Sequence, residues 1–213
     1  MLAFFIDFMR KLLKMSAERI KDVFFTPKTM KIIKIIVAFC LVAIILFWGV
    51  NFVERKVFYP LKFKEEIVRY SNKYSLDTAL VFSVVKCESS FNEKAVSDKG
   101  ALGLMQITKS TANYIAQKLK VNDYDLFNVE TNLDFGCYYL SYLYNRFSDT
   151  DTVIVAYNAG EGKVSSWLKN PKYSIDGVNL IKIPYSETLS YLKQIKKTLS
   201  KYKKLYGNIV DKR

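Results

Sequence analysis

The residue in this chain best placed to do chemistry is Glu88, in the stretch ESSFNEKAVSDKGALGLMQIT that runs from Glu88 to Thr108. Upstream, Asp77 can cap a helix, and Val81, Val84 and Glu88 then fall at i, i+3 and i+7, which puts a carboxyl group on an apolar helix face. Burial disfavours the charged form, so such a glutamate stays protonated towards neutral pH, the state a general acid must hold to protonate a leaving oxygen. Ser89-Ser90-Phe91-Asn92 should end the helix and turn the chain. Gly100-Ala101-Leu102-Gly103-Leu104-Met105-Gln106 then supplies two glycines where backbone can approach a ligand, followed by apolar side chains and one amide that both donates and accepts. That is a suitable wall for a polar, uncharged molecule such as a glycan. The residues alone leave open a plainer role for Glu88, as a solvated or capping group.

Four motifs occur in order: Glu88-Ser89; Ser97-x-x-Gly-Ala-x-Gly-Leu-Met-Gln; Ala156-Tyr157-Asn158-Ala159-Gly160; and Ile183-Pro184-Tyr185-x-Glu187-Thr188-x-x-Tyr191. Together they resemble the soluble-lytic-transglycosylase (SLT) family over about 130 residues, roughly Tyr59 to Tyr191. The resemblance implies a lysozyme-like helical domain that cleaves the MurNAc-GlcNAc β-1,4 bond of peptidoglycan. By the same resemblance Glu88 protonates the glycosidic oxygen, the substrate's own N-acetyl carbonyl stabilises the anomeric carbon, and the ionised Glu88 then takes a proton from the muramyl 6-hydroxyl, leaving a 1,6-anhydro end. It further implies that Ser97 orients or stabilises the intermediate and that Gln106 holds substrate near Glu88. Tyr157 would lie close to the acid, Asn158 in the glycan-binding wall, and Glu187 and Tyr191 would face the site in support. One departure is that Ile107 is followed by Thr108-Lys109-Ser110-Thr111, where the family often continues with Met and Pro.

Two of these motifs also have simpler readings. Ala156 to Gly160 can be an apolar helix closing on a left-handed glycine, with the Tyr157 hydroxyl and Asn158 amide pointing into a cleft or into the core. Glu187 can sit in the first turn of the last helix, where an acid suits the dipole. Glycoside hydrolysis usually uses two carboxylates, and Glu93, Asp98 and Glu161 fall in exposed loop contexts, so Glu88 stands alone.

The elements that must position these residues read as helix upon helix: Lys62 to Lys73, Asp77 to Ser90, Lys109 to Lys118, Thr131 to Phe147, Asp151 to Asn158, Lys163 to Leu168 and Glu187 to Tyr206. Leu133, Cys137, Leu140 and Tyr144 form the inner stripe of the fourth, and Leu189, Leu192, Ile195, Leu199 and Tyr202 that of the last. A small hairpin is expected within Ser97 to Gln106. The fold class is all-α, lysozyme-like with little sheet, in one globular domain preceded by a transmembrane helix.

The expected organisation is a cytoplasmic segment at 1–34, an anchor at 35–53, a linker at 54–61, the catalytic domain at 62–206 and a basic tail at 207–213. Ile35 to Val53 is an uncharged run of 19 residues, about 28 Å long as a helix and so matched to a bilayer core. Trp48 and the region of Tyr59 fall where interfacial aromatics belong. Residues 1–34 hold eight Lys and Arg against three acids, and the first 16 residues after the run hold five against three. The positive-inside rule therefore puts the N-terminus in the cytoplasm and the domain outside, in the cell membrane. The run ends in Phe52-Val53-Glu54-Arg55 without a small-x-small cleavage site, which favours an uncleaved anchor. Leu2, Phe4, Phe5, Phe8, Leu12 and Leu13 among basic residues suit an interfacial helix, while Met30 offers an alternative start.

Cys40, Cys87 and Cys137 cannot make a disulfide framework and read as small apolar fillers. With no histidine in the chain, Ser-His-Asp triads and histidine metal sites are excluded, and no calcium-loop pattern occurs; neither cofactor nor metal is expected. The net charge is +13, of which residues 1–34 carry +5 and residues 193–213 carry +7. That distribution points away from nucleic acid and towards a solvated basic face on the last helix, able to meet anionic wall polymers or lipid headgroups. Partners are thus glycan strands and the membrane. Two other functions fit the same pattern, a water-using muramidase and an inactive glycan-binding scaffold.

Overall fold

The computed structural model describes residues 6–11, 13–15 and 27–210. Residues 6–11 and 13–15 are helical; the expectations attached to Leu2, Phe4, Phe5 and Leu12, and to the tail at 211–213, lie outside the described residues. The chain divides into two compact units, Met1–Phe58 and Tyr59–Arg213.

In the first unit, helix α1 spans Pro27–Val53, longer than the uncharged run and about 40 Å from end to end. Proline at its first position costs nothing there, since that N–H has no helical partner. Beyond Lys34 its large apolar side chains are exposed around the whole circumference, Phe39 and Trp48 among them, so that part has no polar face to offer water. The single polar side chain in the run, Asn51, donates to the Phe47 carbonyl at 2.8 Å and so satisfies itself within the helix. Among the described residues, one stretch, Met30–Phe58, is long and apolar enough to cross a membrane. The expected linker at 54–61 is in part helical instead: Glu54–Phe58 continues α1 as a π-helical turn.

The second unit is built from helices α2 (Lys64–Lys73), α3 (Thr78–Ser89), α4 (Lys109–Leu119), α5 (Val129–Arg146), α6 (Thr150–Ala159), α7 (Glu161–Leu168) and α8 (Ser186–Val210). Each expected helix is present, with ends shifted by a few residues. The largest shift is at the C-terminus, where α8 absorbs residues 207–210 of the expected tail. Caps explain the sharp starts. Side chains of Asp77, Thr108, Asn128 and Asp149 each accept from backbone N–H groups in the first turn of the helix that follows.

α3 is the central element. Thr78 to Val85 are all buried, and full burial of a Leu, Val or Phe contributes about 1.5–3 kcal/mol each. α8 packs along α3 and also on α6, presenting Leu192, Ile195, Thr198, Tyr202, Leu205 and Tyr206 to the core. The small hairpin exists but lies further on than expected: β1 (Ala101–Leu102) pairs antiparallel with β2 (Ile107–Thr108), Ala101 opposite Thr108 and Leu102 opposite Ile107. The Gly-rich stretch therefore supplies both the first strand and, in Gly103–Gln106, the turn of the hairpin.

Candidate active site

Glu88 sits in the last turn of α3, at the edge of the core. The helix stops because Ser90 and Phe91 both take left-handed backbone, at φ 52° and 64°. That conformation is unfavourable for a phenylalanine. Burial of the Phe91 ring against Phe82, with centroids 6.2 Å apart, offsets the cost. The chain is thereby turned away directly after the carboxyl group, which leaves Glu88 at an open helix end on otherwise apolar ground.

Burial pushes the Glu88 carboxyl up from its ordinary 4.5 to about 7, and one hydrogen bond works in the opposite sense: the Tyr191 hydroxyl, from α8, donates to Glu88 Oε1 at 2.6 Å. Tyr157 on α6 lies close enough for the Glu88 charge to raise its own hydroxyl, which burial already holds well above the usual tyrosine range. The same two causes raise Tyr191. Both tyrosines are thus fixed as neutral hydroxyls near a carboxyl that holds its proton up to about pH 7.

The glycine-bearing loop is held by two helices, α6 and α5. The Tyr157 hydroxyl donates to the Met105 carbonyl at 2.8 Å, tying α6 to the loop. On α5, Asn132 is buried and fully used: its Oδ1 accepts from the Met105 N–H at 2.7 Å, and its Nδ2 donates to the carbonyls of Leu102 at 2.9 Å and Leu126 at 2.8 Å. Gly103 has φ +74°, and a Cβ there would stand 2.2 Å from Asn132 Nδ2 and 2.4 Å from the Leu126 oxygen, so no side chain fits. Gly136, one turn after Asn132 on the same face, gives way in turn to the Met105 side chain, whose sulfur would be 2.2 Å from an added Cβ.

The other expected site residues fall in distinct places. Asn158 is half-buried, and its Oδ1 accepts from the Thr188 hydroxyl at 2.8 Å. Gln106 takes φ 50°, and its amide nitrogen donates inward to the Gly103 and Ala95 carbonyls at 3.0 and 3.3 Å; the side chain thus closes its own loop, leaving Oε1 as its remaining polar atom. Ser97 Oγ accepts from the Ala101 N–H at 3.0 Å, which keeps the hydroxyl proton available. Glu187 is largely exposed and pairs with Lys99 at 3.1 Å, joining the start of α8 to the turn before β1. Glu88, Tyr157 and Tyr191 therefore form one cluster, Asn158 and Gln106 adjoin it through Thr188 and the Met105 loop, and Ser97 and Glu187 belong to the rim.

Three contributors escaped the sequence reading, Asn132, Lys99 and Tyr139, whose ring packs on Tyr157 with centroids 5.6 Å apart, and Thr188 was named in a motif without a role. Asn132 had a usable signal, since it shares the buried face of α5 with Gly136 and Leu140 at helical spacing. Cys87, beside the acid, is half-buried with its thiol 3.7 Å from Thr198 Oγ1. Burial pushes that thiol up, away from the thiolate a nucleophile needs. Among the described residues no three His, Cys, Asp or Glu side chains converge as metal ligands.

A buried carboxyl at a helix end, two neutral tyrosines and a pinned glycine loop sit on the helical scaffold of a lysozyme-like domain. Residues 65–177 match the Transglycosylase SLT domain, and the chain belongs to that family. It is 35% identical over 143 residues to the soluble lytic murein transglycosylase of Salmonella typhimurium, covering 64% of this chain and 22% of that protein. It is 39% identical over 116 residues to the membrane-bound lytic murein transglycosylase C of Photorhabdus laumondii, covering 48% and 32%. The crystal structure of the 70 kDa soluble lytic transglycosylase of Escherichia coli superposes with a TM-score of 0.61 at 29% identity, over 70% of this chain and 25% of that one. The chain thus spans between about a fifth and a third of the length of these relatives.

Proposed function

We propose that this protein is a membrane-anchored lytic transglycosylase that cleaves the MurNAc-GlcNAc β-1,4 bond of peptidoglycan and leaves 1,6-anhydro-MurNAc ends. The observation that carries this reading is Glu88, which burial keeps protonated to about pH 7 at a helix end beside Tyr191 and Tyr157, with no other carboxylate among the described residues acting on it.

With Tyr191 donating to Oε1, Oε2 is left to carry the acid proton to the glycosidic oxygen. As the bond to the anomeric carbon breaks, the N-acetyl carbonyl of the substrate takes up the positive centre, and Glu88 becomes a carboxylate stabilised by the Tyr191 hydroxyl. The substrate's 6-hydroxyl then attacks the anomeric carbon and gives its proton to Glu88, which regenerates the acid without consuming water. One group serves as acid and then base, and this fits a site with one carboxyl. In this mechanism the rim residues Ser97 and Glu187, with Asn158 and the Gln106 oxygen, contact the glycan, Tyr191 holds the acid in place, and Tyr157 holds the Met105 loop beside it. The anchor is α1, with the N-terminus on the cytoplasmic side and the catalytic unit outside, a reading supported by the excess of basic residues before the apolar run.

Mass spectrometry of muropeptides released from purified peptidoglycan tests the reading. Anhydro ends, lighter than reducing ends by one water, are expected. Reducing ends alone would assign a muramidase, and no release by a folded protein would assign a glycan-binding scaffold.

A further inference from the structure

The outer face of α8 carries a stripe of lysines for which the catalytic reading has no use. Buried residues take one side of this helix, and at about 100° per residue Lys193, Lys197 and Lys204 fall within an arc of about 40° on the other, strung over about 16 Å. All three are exposed, and among the described residues none has an acid within ion-pair distance. Their neighbours differ: Lys196 pairs with Asp151 at 2.6 Å and Lys203 with Asp77 at 2.7 Å. The bridged lysines lie to one side of the stripe, and Lys193, Lys197 and Lys204 face solvent together.

The same helix is clamped to the residues where its unit begins. The Tyr202 hydroxyl donates to the Pro60 carbonyl at 3.0 Å and the Tyr206 hydroxyl to the Tyr59 carbonyl at 2.9 Å. The Tyr59 ring packs edge-on against Tyr202, with centroids 5.7 Å apart, and Lys86 of α3 lies 5.5 Å over its centre. Tyr59 is joined by one peptide bond to Phe58, the last residue of the stretch long and apolar enough to cross a membrane. Whatever the orientation of the anchor, the end of α8 that holds Lys204 is tethered within a few residues of the point where the chain leaves the bilayer.

We infer that the Lys193-Lys197-Lys204 stripe is a docking surface for the anionic headgroups of the same membrane leaflet, laying α8 along the surface. The inference rests on α1 being a membrane anchor and is independent of the chemistry at Glu88. Charge complementarity selects the partner, because juxtamembrane lysines gain attraction to anionic lipid within a Debye length and little at a neutral surface. The tether supplies the high local concentration that three unlinked lysines lack. Docking would hold the catalytic unit against the membrane and restrict it to glycan close to that surface.

Amine acetylation read by mass spectrometry tests this on the full chain in lipid nanodiscs, one set of phosphatidylcholine alone and one with a third phosphatidylglycerol. Lys193, Lys197 and Lys204 should react about fivefold more slowly in the anionic discs, with Lys109 on α4 unchanged, and 0.5 M salt should abolish the difference. Equal rates in the two lipids would overturn the docking. So would protection in neutral discs by soluble poly(glycerol phosphate) with none from anionic lipid, which would assign a wall polymer instead. Elution of the chain apart from the discs would refute the anchor and the docking with it, whereas co-elution with equal labelling refutes the docking alone.

Discussion

Replacing Glu88 with glutamine should make the protein more stable above neutral pH. The folded state holds the Glu88 carboxyl at about 7 against an ordinary 4.5, so the unfolded chain releases this proton first as pH rises. Below about pH 4.5 both states keep the proton and the group contributes nothing to pH dependence. Between 4.5 and 7 stability falls, and above 7 the loss levels off at about 3 kcal/mol. From pH 5 to pH 8 the loss amounts to about 2.5 kcal/mol, because part of it has already accrued by pH 5. Glutamine cannot ionise and keeps an oxygen to accept from Tyr191, so Glu88→Gln removes this slope while every other titrating group stays in place. The assay is urea unfolding of the full-length wild type and variant in detergent, followed by circular dichroism at pH 5 and pH 8. The variant should gain about 2.5 kcal/mol on the wild type between the two pH values. A gain below about 0.5 kcal/mol, or a relative loss, would show that the carboxyl is not held protonated by burial and would remove the physical basis for its role as an acid.

The same Glu88→Gln protein should lose about 10²- to 10⁴-fold in glycan release, and near wild-type turnover by the folded variant would sink the assignment of the acid. Tyr191→Phe removes the hydrogen bond that lowers the Glu88 value, so the alkaline limb of its pH–rate profile should move to higher pH while the maximal rate drops; an unmoved limb refutes the contact. Asn132→Ala leaves the Met105 N–H and two carbonyls without their buried partner and should cost about 2–4 kcal/mol in unfolding experiments. Excess EDTA should leave muropeptide release unchanged, and a large loss restored by calcium or zinc would reveal a metal requirement. Protease added outside wall-stripped cells should digest the unit beyond Tyr59 and spare a membrane fragment, whereas a soluble, shortened protein in the medium would mean that the anchor is cleaved.

The sequence by itself determined the elements and singled out Glu88 as the candidate acid. Helical period, the cap at Asp77 and the turn at Ser90-Phe91 are local, and each is written within a few residues of where it acts; the caps at Thr108, Asn128 and Asp149 are as local but came to light only with the structure. The apolar run behind α1 is legible for the same reason, since a helix apolar all round needs no partner to be recognised. Even the placement of Glu88 on an inner face follows from counting along one helix. Tertiary structure alone decided what surrounds that carboxyl. Tyr191 is 103 residues away, and its hydroxyl reaches Oε1 only because α8 packs along α3. Asn132 pins Met105 from 27 residues on, and Glu187 turns to Lys99 on the rim rather than to the acid. Gln106, which looks from sequence like a ligand-facing amide, spends its nitrogen on its own loop because left-handed backbone folds the side chain inward. Side-chain period reports which face of a helix is buried, but the identity of the group met there depends on how remote elements pack, and that information is carried by no local pattern.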